Sequence, residues 1–162
     1  MSLTNKLKFC VGHSVDYHNL VLNSNSNWVQ KLGGVSFEIG YQIVAHSDGD
    51  IILHVISEAI LGALGLGDLG EWFSDKNPDN KNIDSLDILR FALNKCYEHG
   101  YAVGNIDVSI VCDAINFKDK KAKIREFLSN FMRSNINIKA TRFEQNSISK
   151  IKCYCVCLLV CN

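Results

Sequence analysis

The chain has 162 residues, 47% of them hydrophobic, with 17 Lys plus Arg against 17 Asp plus Glu and a formal net charge of +0. That length and composition suit one globular domain, expected over residues 1–162. The zero balance excludes the basic excess of a nucleic-acid binder and leaves little repulsion to oppose self-association.

Met1–Lys8 is short and polar, without the apolar stretch of a secretory signal, and no apolar run approaches the roughly 18 residues that span a bilayer. The chain therefore reads as independent of membranes and cytoplasmic, or stromal if an organelle-targeting segment has been removed. Four of the seven cysteines, Cys153, Cys155, Cys157 and Cys161, crowd one short apolar stretch. Alternate residues of a strand share a face, so these neighbours cannot readily pair, and reduced thiols are expected.

Taken in chain order, Leu7–Val11 is apolar and predicts the first strand, running into Gly12–His13–Ser14–Val15–Asp16–Tyr17–His18. Leu20–Leu22 is a candidate short strand, Gly33–Gly34 a turn, and Val35–Ile39 alternates as a strand. Asp48–Gly49–Asp50 opens a helix to about Leu64, because carboxylates at a helix start accept from its free N–H groups; Gly65 and Gly67 end it. Trp72–Lys81 is a polar loop, and Asp84 caps a second helix reaching Glu98. Ile106–Cys112 reads as a strand, Lys118–Arg133 as a basic amphipathic helix, Asn135–Thr141 as a strand and Ile151–Val160 as a final strand. Interleaved strands and helices predict an α/β (α+β) fold, a single sheet with helices packed on one face. The last strand is apolar on both faces, so its second face calls for a partner subunit.

If Asp16 and His18 lie on extended chain, both point to one side and offer an oxygen and a nitrogen to one cation; alternatively they are a polar pair at a strand end. His54 follows Asp50 by one helical turn and precedes Glu58 by another, so Glu58 is a candidate to fix its tautomer. The alternative places Asp50 and Glu58 on the helix surface. Donors of types O, N and N leave one position open, the pattern of a catalytic zinc site, and an open zinc position can take a phosphate oxygen. His46 and Ser47 bring a ring and a hydroxyl to the helix start, where anions are favoured; an ordinary capped turn is the alternative. The run Lys118–Lys123 reads as a solvated helix face, and the terminal cysteines as buried small hydrophobes.

Gly12–His18, Ala45–Asp50, His54, Leu61–Gly70, Gly104–Val108 and Asn137–Thr141, in that order and spacing, resemble the 2-C-methyl-D-erythritol 2,4-cyclodiphosphate synthase family. The resemblance runs from about Phe9 to about Glu144 and implies a lyase of the non-mevalonate isoprenoid pathway. Its reaction is attack of the 2-phosphate of 4-diphosphocytidyl-2-C-methyl-D-erythritol 2-phosphate on the β-phosphorus, with release of CMP. It implies a homotrimer with sites at subunit boundaries and Zn²⁺ on Asp16, His18 and His54. It also implies Mg²⁺ or Mn²⁺ at the diphosphate, held by Glu144. Asp16, Tyr17 and His18 would contact the substrate, His46 and Ser47 its phosphate, and Asp68, Leu69, Gly70, Phe73, Ser74, Asp75, Lys76 and Asn77 the methylerythritol unit. Ala114, Ile115, Asn116, Phe117 and Lys118 would hold cytosine, while Thr141, Arg142, Phe143 and Glu144 flank the diphosphate. His46 and Arg142 are the implied catalytic side chains.

Departures from the family pattern fall at Ile115 and Asn116, where a proline and a lysine are usual, and at Arg142, where a threonine is. Ile151 and Leu158 stand where an arginine and a glutamate usually line a cavity on the threefold axis. A zinc phosphoesterase and an inactive metal-stabilised trimer remain the alternative readings.

Overall fold

The computed structural model describes residues 6–24, 27–74, 80, 83–144 and 149–162. Its elements are β1 (Phe9–Leu22), β2 (Val29–Leu32), β3 (Val35–Glu38), β4 (Tyr41–Ile43), α1 (Ile51–Ala63), α2 (Leu69–Trp72), α3 (Ser85–Glu98), β5 (Tyr101–Cys112), α4 (Lys121–Met132), β6 (Asn135–Thr141) and β7 (Lys150–Cys161). Five strands form a sheet in the order β4-β1-β7-β5-β6, and β2 and β3 form a separate hairpin. β1 and β5 flank β7 antiparallel, while β6 joins β5 in parallel after α4 crosses over. This is the mixed α/β single-domain fold expected from the alternation of elements.

Several boundaries differ from the sequence-based expectation. β1 is one continuous strand of 14 residues rather than a strand at Leu7–Val11 with a separate short one at Leu20–Leu22. Pairing explains the continuity: Phe9 through Asn19 register against β7, and Leu20–Leu22 register against β4. β2, β4 and α2 have only four, three and four residues, too short for a hydrophobic period to reveal. α4 begins at Lys121 rather than Lys118.

α1 is apolar around most of its circumference because it is enclosed, with β1 and β7 on one side and α3 on the other. Ile51, Ile52, Leu53, Ile56, Ile60 and Leu61 are all 0% exposed. Cys153, Cys155, Cys157 and Leu159 of β7 point at this helix and are equally buried, so the terminal cysteines serve as small core side chains. All seven cysteines are free. The other face of the same strands is open, with Phe9, Val11, Val15, Tyr17 and Val156 all exposed.

The inner face of β1 fixes where α1 lies. A Cβ on Gly12 would collide with the Ala59 carbonyl oxygen, so only glycine allows this approach. Two residues on, the Ser14 hydroxyl donates to the Val55 carbonyl at 2.5 Å. At the helix start Asp50, fully buried, accepts from the Gly33 and Gly34 N–H groups at 2.7 Å each and caps the helix through Leu53 N–H at 3.2 Å. Asp50 is thus neither a surface residue nor a partner of His54 through its side chain.

Burial raises the Asp50 carboxyl to about 6, despite the three N–H donors that favour the anion. The folded protein therefore holds the proton more tightly than the unfolded chain. That contribution is complete below about pH 4, the unfolded value, and is lost as pH rises through 6. Asp50→Ala removes the cap and strands two hairpin N–H groups, and should lower unfolding stability by roughly 3 kcal/mol at pH 7. Urea denaturation of both proteins measures this, and a loss under about 1 kcal/mol would contradict the pinning role.

Candidate metal centre and active site

Asp16 and His18 sit two apart on β1 with both side chains on the inner face, and His54 projects from the first full turn of α1 toward them. One donor atom from each of the three lies within 4.8 Å of the others. This is the only such cluster of three among the described residues. His18 Nε2 is 3.1 Å from Asp16 Oδ2, and His54 Nδ1 is 3.8 Å from the same oxygen. The rings meet edge to face with centroids 6.4 Å apart.

Each group is held by a second contact. The His18 Nδ1–H donates to the Val44 carbonyl at 3.0 Å, which leaves the Nε2 lone pair facing Asp16. His54 Nε2 lies 3.1 Å from the Ser47 hydroxyl, which leaves Nδ1 facing the same point. The Tyr17 N–H donates to Asp16 Oδ1 at 2.7 Å and leaves Oδ2 for the shared position. Donors of types O, N and N, with the His18 tautomer set by the Val44 carbonyl, fit a divalent cation such as zinc. Burial lowers the proton affinity of His18, but the hydrogen bond and charge of Asp16 outweigh it, and the pKa is raised. Protons therefore compete with a cation at this ring as the pH falls.

Ser47 is a side-chain partner of His54 Nε2. This contact was not legible from spacing, because Ser47 reaches His54 through a loop and not along the helix. Glu58 still faces the centre: it lines a cavity of about 270 Å³ with Asp16, His18, His46, Ser47 and Asp68. Burial, then the charges of Asp16 and Asp68, raise its pKa.

The loop carrying His46 and Ser47 is anchored at Asp48. Its carboxylate accepts from the Ser85 hydroxyl and from Asp50 N–H at 3.2 Å, and lies 3.4 Å from Lys31 Nζ. Leu69, Gly70 and Phe73 line the same cavity. Ser74 is not among its lining residues, and Asp75, Lys76 and Asn77 lie outside the described residues. The Tyr17 ring is 70% exposed on the opposite face of the sheet, so only its backbone serves the centre.

A second cavity, of about 410 Å³, is lined by Cys112 to Lys118 with Lys121, Ala140, Thr141 and Arg142. Asp113 Oδ1 accepts from Phe143 N–H at 3.0 Å and so ties the end of β6 to this loop. Glu144 follows with φ 59, a left-handed conformation that a non-glycine residue rarely adopts. Within one chain the two cavities stand apart. Tyr17, Lys152, Val111 and Thr141 pair in one row across four strands, which separates Asp16 from Thr141 by roughly 14 Å, three strand spacings. Arg142 and Glu144 are therefore not brought to the Asp16–His18–His54 cluster by this chain alone.

Residues 9–160 match the YgbB family. The chain belongs to that family. A relative in Hydrogenobaculum sp. (strain Y04AAS1), named 2-C-methyl-D-erythritol 2,4-cyclodiphosphate synthase, is 42% identical over 132 residues, 79% of this chain and 85% of its own. A relative of the same name in Leptospira borgpetersenii serovar Hardjo-bovis (strain JB197) is 38% identical over 159 residues, 94% of this chain and 98% of its own. A solved 2C-methyl-D-erythritol-2,4-cyclodiphosphate synthase in a CDP-bound form superposes with a TM-score of 0.82 at 26% identity, over 92% of this chain and 99% of that one.

His54→Ala should remove tight zinc from the purified protein. Ser47→Ala should weaken zinc by about tenfold while the fold persists, because His54 loses the contact that orients its ring. Competition with a zinc-binding dye across pH 5.5–8 reads both effects, and affinity in the native protein should fall as the pH drops. Unchanged zinc content in His54→Ala would remove the assignment of this ligand.

Proposed function

We propose that this chain is a 2-C-methyl-D-erythritol 2,4-cyclodiphosphate synthase, a phosphorus–oxygen lyase acting in isoprenoid biosynthesis. The observation that carries this reading is the convergence of Asp16, His18 and His54 beside the His46–Ser47 loop, in a chain of this family. An oxygen of the substrate's 2-phosphate attacks the β-phosphorus, the bond to the α-phosphate oxygen breaks, and CMP leaves with the electron pair. No side-chain nucleophile is needed. The catalytic gain comes from holding two groups of one substrate at attack distance.

Zn²⁺ on Asp16, His18 and His54, with Mg²⁺ or Mn²⁺ on Glu144, would neutralise the repulsion between the two phosphates. His46 and Ser47 hold a phosphate at the start of α1, where the helix dipole favours anions. Asp68, Leu69, Gly70 and Phe73 enclose the methylerythritol unit. Ala114, Ile115, Asn116, Phe117 and Lys118 hold cytosine largely through backbone groups. Thr141 and Arg142 face the diphosphate, with Arg142 adding charge as it develops on the leaving oxygen.

This assignment needs more than one copy. The roughly 14 Å between the Asp16 and Thr141 ends of the row is bridged when a neighbour's β6 loop lies against this chain's metal cluster. The uncovered face bearing Phe9, Val11, Val15, Tyr17 and Val156 supplies an apolar seam for such packing. A homotrimer with sites between subunits, acting in the cytoplasm or an organelle stroma, follows from this reading.

The deciding experiment is an assay of CMP release from 4-diphosphocytidyl-2-C-methyl-D-erythritol 2-phosphate with Mg²⁺. The expected products are CMP and the cyclic diphosphate; inorganic phosphate instead would favour a phosphoesterase. Light scattering should give the mass of three chains. Glu144→Gln should raise the Mg²⁺ concentration needed for half-maximal rate by about tenfold, and an unchanged requirement would remove Glu144 from the metal role.

A further inference from the structure

The basic run at the start of α4 is not simply a solvated face. Lys121, the first residue of α4, lines the 410 Å³ cavity together with Lys118 and Arg142. Three cations there meet one lining carboxylate, Asp113, whose Oδ1 is engaged by the Phe143 N–H. No ion pair among the described residues includes Lys118, Lys121 or Arg142, whereas Lys31, Arg90, Lys95 and Lys139 are each paired with a carboxylate.

The local chemistry of α4 sharpens this contrast. A helix start favours acidic residues, because its free N–H groups and dipole present positive charge. α4 has no acidic residue in its first turn and no side-chain cap from Lys120, and it begins with Lys121 instead. Like charge is thereby gathered at the positive end of a 12-residue helix and beside a cavity. Such a conflict between local preference and placement marks a binding function when an anion can resolve it. Asn116, whose Oδ1 accepts from the Lys118 N–H at 2.9 Å, carries no charge, so the cations are left to balance the ligand's charge.

We propose that Lys121 is a specificity-determining residue that, with Arg142, grips the phosphate end of the cytidine nucleotide in this cavity. The inference rests on the synthase reading and deepens it. It distinguishes two kinds of recognition in one pocket: loop backbone for the base, and paired cations for the phosphates.

The test is calorimetric titration of CDP and, separately, of cytidine into the zinc- and magnesium-loaded protein, comparing the native chain with Lys121→Ala and Lys121→Arg. Lys121→Ala should weaken CDP about tenfold and leave cytidine within about twofold, and Lys121→Arg should recover most of the loss. In turnover, Lys121→Ala should raise KM about tenfold with kcat within about threefold. Raising salt should weaken CDP less steeply in Lys121→Ala than in the native chain. Equal CDP affinity in the native and Lys121→Ala proteins overturns the proposal, and so does an equal loss of CDP and cytidine. Should Lys121→Ala melt early, Lys121→Gln replaces it with the same criteria. Binding is read without turnover, so a protein that binds CDP through Lys121 yet releases no CMP would overturn the synthase reading alone.

Discussion

The seating of α1 on β1 is the constraint from which the rest follows. Every second residue of β1 meets the helix in turn: Gly12 against Ala59, Ser14 against Val55, Asp16 beside His54. The Asp16–His18–His54 cluster is the last rung of this ladder. A side chain at Gly12 would push the helix away at one end and open the space between donors at the other. The buried Asp50 carboxylate secures the near end by tying the helix start to the Gly33–Gly34 turn. Binding geometry is thus set by backbone contacts that take no part in the chemistry.

The site's donors are prepared in the same way. Val44 and Ser47, from the segment between β4 and α1, each occupy the ring nitrogen that faces away from the shared point. Asp48 holds that segment to α3 through Ser85. One short loop therefore orients both imidazoles and carries His46 beside them.

Much of this was legible in the sequence, and the reasons for the rest are physical. Asp16 and His18 could be paired because strand alternation is strict, and His54 could be joined to them through the family resemblance. Asp84 and the strand at Asn135–Thr141 marked their elements correctly because local chemistry governs caps and strand runs. The Ser47 contact of His54 went unread, since helical spacing points along the helix to Glu58 while Ser47 arrives on a loop. β2 and β4 were missed because three or four residues hold no period, and β4 exists only through pairing with Leu20–Leu22. Lys121 could not be told from a solvated lysine without the cavity beside it. Asp50 was rightly placed at the helix start, but its burial was not legible because nothing local announces that a distant glycine pair will donate to it.

The last strand joins two different environments through a single alternation. Cys153, Cys155, Cys157 and Leu159 fill the space under α1, while Lys152, Tyr154, Val156 and Leu158 stand on the open side. Inserting one residue near Lys150 would exchange these rows, sending a lysine and a tyrosine ring into the space shaped for thiols. Such a slip would fail twice over, in the interior and at the outer seam. The length of this strand is therefore fixed by both of its faces at once.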